Sequence, residues 1–116
     1  MKNVLVVEDE DSLRLLYKQE LVEDGYNVIA VDSGEDALER LDKNKIDLVV
    51  LDIRLGGMSG LEALEGLLSK QRDLKVVINT AYANFKDDFS SWLADAYVIK
   101  SADLSELKST IHRLIN

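Results

Sequence analysis

Five short apolar runs punctuate the chain, and between them apolar residues recur at helical spacing. The runs read as strands at about Asn3–Val7, Tyr26–Val31, Leu48–Leu51, Lys75–Asn79 and Ala96–Ile99. Strands alternating with helical segments five times predict an α/β fold of the (βα)5 type around a parallel sheet. Boundary chemistry supports the helices. Gly25 stands where the first helix needs a left-handed cap. Ser59 with Glu62, and Asp103 with Glu106, are spaced as capping boxes, and Ser33 with Asp36 is a weaker version. On the first helix, Leu13, Leu16, Tyr17 and Leu21 fall on one side and form the expected buried stripe. Leu15 and Val22 fall on the opposite side, two turns apart, with Lys18 between them. Phe85, Phe89, Trp92 and Leu93 are spaced i, i+4, i+7 and i+8, as in the core face of a fourth helix. The last helix directs Leu104, Leu107, Ile111 and Leu114 inward, which leaves His112 on the surface near a helix C-terminus, where the dipole favours it.

Composition narrows the function classes. The 116 residues are enough for one core, and no linker or repeat divides them, so a single domain over 1–116 is expected. No apolar stretch approaches the ~18 residues of a membrane span, and the N-terminal run is too short for a signal segment. There is no cysteine, hence no disulfide framework or thiolate metal site. These features fit the cytoplasm. A net charge of -8 disfavours direct nucleic-acid binding and suits a cation or a partner with a basic surface.

The candidate chemistry lies at the ends of the strands. In an open α/β sheet the ligand crevice lies outside their carboxyl ends. The first strand is followed by Glu8-Asp9, the third by Asp52, the fourth by Thr80 and the fifth by Lys100. Each alone has a bland explanation: a solvated acidic run, a strand end, a surface lysine. Together they place three acids, one hydroxyl and one ammonium at one crevice. Carboxylate oxygens suit Mg2+, or Mn2+ in its place, and crowded carboxylates favour a cation because like charges raise one another's pKa. A carboxylate can also attack phosphorus, an attack that needs in-line geometry and neutralised charge.

With these residues the chain resembles a response-regulator receiver domain from end to end. The motif residues are Glu8-Asp9, Asp52, Thr80-Ala81 and Lys100, and Tyr97 stands at the family's aromatic switch position. The resemblance implies a doubly wound, flavodoxin-like fold, with sheet order 2-1-3-4-5 and helices on both faces. It implies that Asp52 is the phosphoacceptor and that Thr80 and Lys100 contact the bound phosphoryl group. Mg2+ would be held by Asp9, Asp52 and the backbone carbonyl of Arg54, with Glu8 assisting. Thr80 and Tyr97 would move together and reshape the face formed by the fourth predicted helix, the fifth strand and the fifth helix. The implied donor is a phosphohistidine on a sensor histidine kinase, whose helical bundle would dock on the first helix at Leu15, Lys18 and Val22. The expected partner on the output side is a downstream protein target or phosphotransfer protein, because the chain ends after the fifth helix. A monomer or weak dimer is expected, acting as a switch rather than as an enzyme on other substrates.

The sequence departs from the family pattern in three places. It has no proline, so Ser101 follows Lys100 where receivers usually have proline after a cis bond, and a trans bond is expected. Gly56-Gly57 occupy a loop that usually carries proline. The stretch from Thr80 to Lys100 is slightly short, which leaves the fourth helix brief or displaced. Three rival readings explain less. A haloacid-dehalogenase-type phosphatase would use Asp9-Glu10-Asp11-Ser12 but leave Asp52 idle. A flavin binder would need a phosphate-cradling loop where acids now stand. An unphosphorylated receiver-like adaptor would not need the complete site.

Overall fold

A computed structural model describes residues 1–54, 59–81 and 93–116. The chain runs β1 (Asn3–Val7), α1 (Asp11–Glu23), β2 (Asn27–Val31), α2 (Gly34–Lys43), β3 (Leu48–Leu51), α3 (Gly60–Lys70), β4 (Lys75–Thr80), β5 (Ala96–Ile99) and α4 (Ser105–Ile115). The strands form one parallel sheet in the order β2-β1-β3-β4-β5, the order expected. Of the aromatic face predicted at 85–93, Phe85, Phe89 and Trp92 lie outside the described residues, as do Gly56 and Gly57; Leu93 is exposed.

The strands are mostly apolar because helices cover both faces of the sheet. Leu5, Val7, Val49, Leu51, Val76 and Ile78 pack toward α2 and α3, with Ala63, Leu64 and Leu67. Val4, Val6, Leu48, Val50 and Val77 pack toward α1 and α4, with Tyr17, Leu21, Leu107 and Ile111. Each fully buried aliphatic side chain contributes roughly 1.5–3 kcal/mol, so the sheet core fixes the positions of the strand tips.

Local sequence sets the ends of the helices. Gly25 has φ 97°, and its N–H reaches the Val22 carbonyl to close α1. Ser59 and Glu62 form the full capping box of α3. Ser33 Oγ accepts from the Asp36 N–H at 3.1 Å to cap α2. The expected Asp103–Glu106 box does not form. Asp103 Oδ1 instead accepts from both the N–H and the Oγ of Ser105, at 2.9 and 2.6 Å, and α4 begins at Ser105. His112 is exposed near the end of α4, as expected, with Nδ1 2.9 Å from the Asn116 amide nitrogen. The Lys100–Ser101 bond is trans, because no cis peptide occurs among the described residues.

A second correction concerns α1. Tyr17 and Leu21 are buried and Leu13 is half-buried, but Leu16 is 38% exposed. It lines an open hollow with Glu20, Leu104, Ser105 and Lys108, where Lys108 Nζ pairs with Glu20 at 2.8 Å. Leu15 and Val22 are exposed, as expected.

Candidate functional site

The strand tips converge as the sheet order requires. Because β3 lies between β1 and β4, Asp52 has the tips of β1 and β4 on either side, and the tip of β5 comes next. Val7, Leu51 and Ile78 stand in register across β1, β3 and β4. Glu8 and Asp52 follow one residue on, and backbone bonds hold both in place. The Glu8 N–H donates to the Val31 carbonyl at 3.0 Å, and the Asp52 N–H donates to the Val7 carbonyl at 3.2 Å.

Asp52 is 5% exposed and Glu8 2% exposed, a degree of burial that carboxylates tolerate only when paired. Lys100 supplies the pairing. Its Nζ lies 2.6 Å from Glu8 Oε1 and 2.8 Å from Asp52 Oδ2. The other oxygens are engaged by backbone: Asp52 Oδ1 accepts from the Arg54 N–H at 3.0 Å, and Glu8 Oε2 accepts from the Glu10 N–H at 3.1 Å. Burial pushes the Glu8 carboxyl above the usual carboxylate range, although hydrogen bonds from Lys100 and the Glu10 N–H pull the other way. Burial likewise opposes the Lys100 charge, but hydrogen bonds to Asp52 and Glu8 outweigh it and hold the ammonium well above the usual lysine range.

The donor set fits a hard divalent cation. Glu8, Asp9 and Asp52 each bring a carboxylate oxygen within 4.8 Å of the others, and Asp9 is exposed to solvent. Two carboxylate oxygens on one Mg2+ stand roughly 3–4 Å apart, so a small closure suffices. Three carboxylates against the single Lys100 ammonium leave two negative charges, which one divalent cation would balance.

The remaining predicted residues lie on several elements. Thr80 is fully buried at the tip of β4, and its carbonyl accepts from the Lys100 N–H at 2.7 Å. Arg54 is exposed two residues past Asp52, and Tyr97 is half-buried against the α2/α3 side of the core. Lys18, with Leu15 and Val22, is exposed on α1.

Three contributors were missed from the sequence. Arg14 Nη1 donates to the Glu8 carbonyl at 3.0 Å and pins the β1–α1 loop. Gly60 donates its N–H to the Ile53 carbonyl, and a Cβ there would run into the Ile53 backbone, 2.7 Å from its oxygen. Its signal was a glycine just inside a capping box. Asn79 is buried, 3% exposed, one residue before Thr80, and the signal was an amide closing the run Val76-Val77-Ile78.

Known proteins share this arrangement. The family model of the response regulator receiver domain matches residues 4–112. The two-component response regulator PhoP of Pseudomonas aeruginosa is 38% identical over 97% of this chain and 51% of its own length. The transcriptional regulatory protein YvrH of Bacillus subtilis is 35% identical over 94% of this chain and 47% of its own. The chain thus spans about half the length of the curated relatives it matches. Among solved structures, the response regulator TrrA of Thermotoga maritima in complex with Mg2+–BeF superposes with a TM-score of 0.92 at 44% identity, covering 98% of this chain and 99% of that one. TrrA in complex with the histidine kinase ThkA gives 0.91 at 43% identity, with both chains fully covered. The site and these matches agree, and the chain belongs to the response regulator receiver domain family.

Proposed function

We propose that the chain is a phosphorylation-dependent signalling switch in which Asp52 accepts a phosphoryl group from the phosphohistidine of a sensor histidine kinase. The observation that carries this is the placement of Asp52: nearly buried at the tip of β3, with Lys100 on one oxygen and two further carboxylates within reach of one cation. TrrA supports it, since that relative was solved with Mg2+–BeF, whose fluorides stand in for phosphoryl oxygens, and with a histidine kinase.

In the transfer, an Asp52 oxygen attacks phosphorus. The new P–O bond forms as the P–N bond breaks, and that electron pair returns to the imidazole nitrogen. Asp9, Asp52 and the Arg54 carbonyl, with Glu8, would hold Mg2+, which when bound supplies positive charge against the phosphoryl oxygens. Lys100 leaves Asp52 for the new phosphoryl group, and the Thr80 hydroxyl donates to it. The phosphoryl group adds roughly -1.5 to -2 of charge, which biases a two-state surface through Thr80 and Tyr97. The chain turns over only its own phosphoryl group. Leu15, Lys18 and Val22 on α1 receive the kinase, and output passes through changed protein contacts, in the cytoplasm.

The test is labelling by a small donor such as acetyl phosphate. Wild type takes up hydroxylamine-sensitive label only with Mg2+ or Mn2+, and Asp52→Asn takes up none. Undiminished label in Asp52→Asn, or an acid-stable, hydroxylamine-resistant label on wild type, would overturn the reading.

A further inference from the structure

Of the three carboxylates suited to a cation, Glu8 and Asp52 are buried and clasped by Lys100, whereas Asp9 is exposed. The direction in which the Asp9 side chain leaves the chain is set by its backbone. Peptide groups are planar, so the two soft dihedrals of Asp9 lie between the Glu8–Asp9 and Asp9–Glu10 planes. Hydrogen bonds hold both planes. The Glu8 carbonyl, in the first, accepts from Arg14 Nη1 at 3.0 Å. The Glu10 N–H, in the second, donates to Glu8 Oε2 at 3.1 Å. The Glu10 carbonyl accepts from the Arg14 N–H at 2.9 Å, so Arg14 of α1 reaches the loop on both sides of Asp9.

The guanidinium itself is held in place. The Arg14 side chain is only 22% exposed, and Nη2 lies 2.5 Å from Asp11 Oδ1 while Nη1 points to the Glu8 carbonyl. The planar fork fixes the two contacts relative to each other. The Asp11 side chain is 90% exposed, and an exposed ion pair adds little stability, so what it contributes is the orientation of the fork. Two roles for Arg14 then predict opposite signs. A positive charge beside a cation site repels the cation, and removing it would tighten binding. A residue that places a ligand weakens binding when it is removed.

We propose that Arg14 is a positioning residue for the cation: through the Glu8 carbonyl it holds the β1–α1 loop in the conformation that aims Asp9 at the oxygens of Glu8 and Asp52. The proposal rests on the reading of Glu8, Asp9 and Asp52 as Mg2+ ligands. Loss of a residue that orients a metal's ligands typically costs 10–100-fold in affinity. Arg14→Met keeps the length of the side chain and a good helix former in α1, and it removes both the fork and the charge. Arg14→Lys keeps the charge and a donor but not the fork.

Mg2+ binding is read from backbone amide shifts of the full chain during a MgCl2 titration, at a temperature where circular dichroism shows each variant folded. The half-saturating Mg2+ concentration is expected to rise about tenfold in Arg14→Met and by less in Arg14→Lys. Labelling of Arg14→Met by acetyl phosphate should slow at low Mg2+ and recover the wild-type rate at saturating Mg2+, since Asp52, Thr80 and Lys100 are intact. A merely structural role would lower Tm and leave the titration unmoved. Mg2+ binding within about twofold of wild type in folded Arg14→Met, or tighter than wild type, would overturn the proposal. Should Arg14→Met fail to fold, Arg14→Lys decides: weaker Mg2+ binding than wild type supports the proposal, and wild-type binding overturns it. Wild-type protein that binds no Mg2+ would overturn the metal assignment and this inference with it, whereas weakened binding in Arg14→Met beside a wild type that takes no label would overturn the phosphoacceptor reading alone.

Discussion

Replacing Lys100 with methionine tests how the site is held when no cation is present. The ammonium bridges Glu8 Oε1 at 2.6 Å and Asp52 Oδ2 at 2.8 Å, and both carboxylates are almost wholly buried. Removing one partner of a buried ion pair costs about 3–5 kcal/mol, because the charge left behind is uncompensated. Two features reduce that here. The Lys100 side chain is 17% exposed, so the pair is not fully dry, and Glu8, already raised by burial, can take up a proton. A loss of about 2–3 kcal/mol remains. For a domain of this length it lowers Tm by about 10 °C at neutral pH in EDTA. Added Mg2+ should then stabilise the variant more than wild type, since the cation takes over the neutralisation that Lys100 provided. Thermal unfolding followed by circular dichroism, with and without millimolar Mg2+, reads both effects. A Tm within about 2 °C of wild type in EDTA, or equal Mg2+ stabilisation of the two proteins, would refute the reasoning.

Other outcomes follow from single features. Gly60→Ala should cost about 1–3 kcal/mol in urea unfolding, because a Cβ there meets Ile53 backbone and not a flexible side chain; it should also slow labelling, as the displaced backbone adjoins Asp52. The stability that Lys100 contributes should be whole below pH 10.5, the ordinary lysine value, and fall as pH rises above it toward the raised folded value. Urea titrations of wild type and Lys100→Met should therefore converge in strongly alkaline buffer and diverge at neutral pH. Leu15→Glu should slow phosphotransfer from a partner kinase and leave labelling by acetyl phosphate intact, because Leu15 is exposed on α1; equal slowing with both donors would place the damage in the fold.

The fold was legible because the central strands are buried on both faces, so runs rich in Val, Ile and Leu marked each strand within a residue of its end. The convergence of Glu8, Asp52 and Lys100 followed from the parallel topology, in which every strand tip points to one edge. Features that depend on what lies opposite were not legible. Leu16 shares the apolar side of α1 in projection, yet it is 38% exposed beside an open hollow that it lines with Ser105 and Lys108 of α4. Asp103 matches a capping box in spacing, but its oxygen is taken by Ser105. The sequence showed Glu8 as an acid among acids. Only the structure shows it clasped by Lys100 and excluded from water, because that contact joins β1 to β5, strands that are not neighbours in the sheet.

The central claim is that one carboxylate, Asp52, takes the phosphoryl group, and its most direct test is the position of the label. Trypsin should release residues 46–54, cut after Lys45 and Arg54, with both Asp47 and Asp52 inside. Borohydride reduces an acyl phosphate to the alcohol, so the phosphorylated aspartate is recovered as homoserine, and fragmentation of that peptide by mass spectrometry separates the two positions. Homoserine at Asp52, formed only when Mg2+ and donor are both present, is the predicted result. Homoserine at Asp47 or at Asp9, or none at Asp52 in protein that carries label, would contradict it.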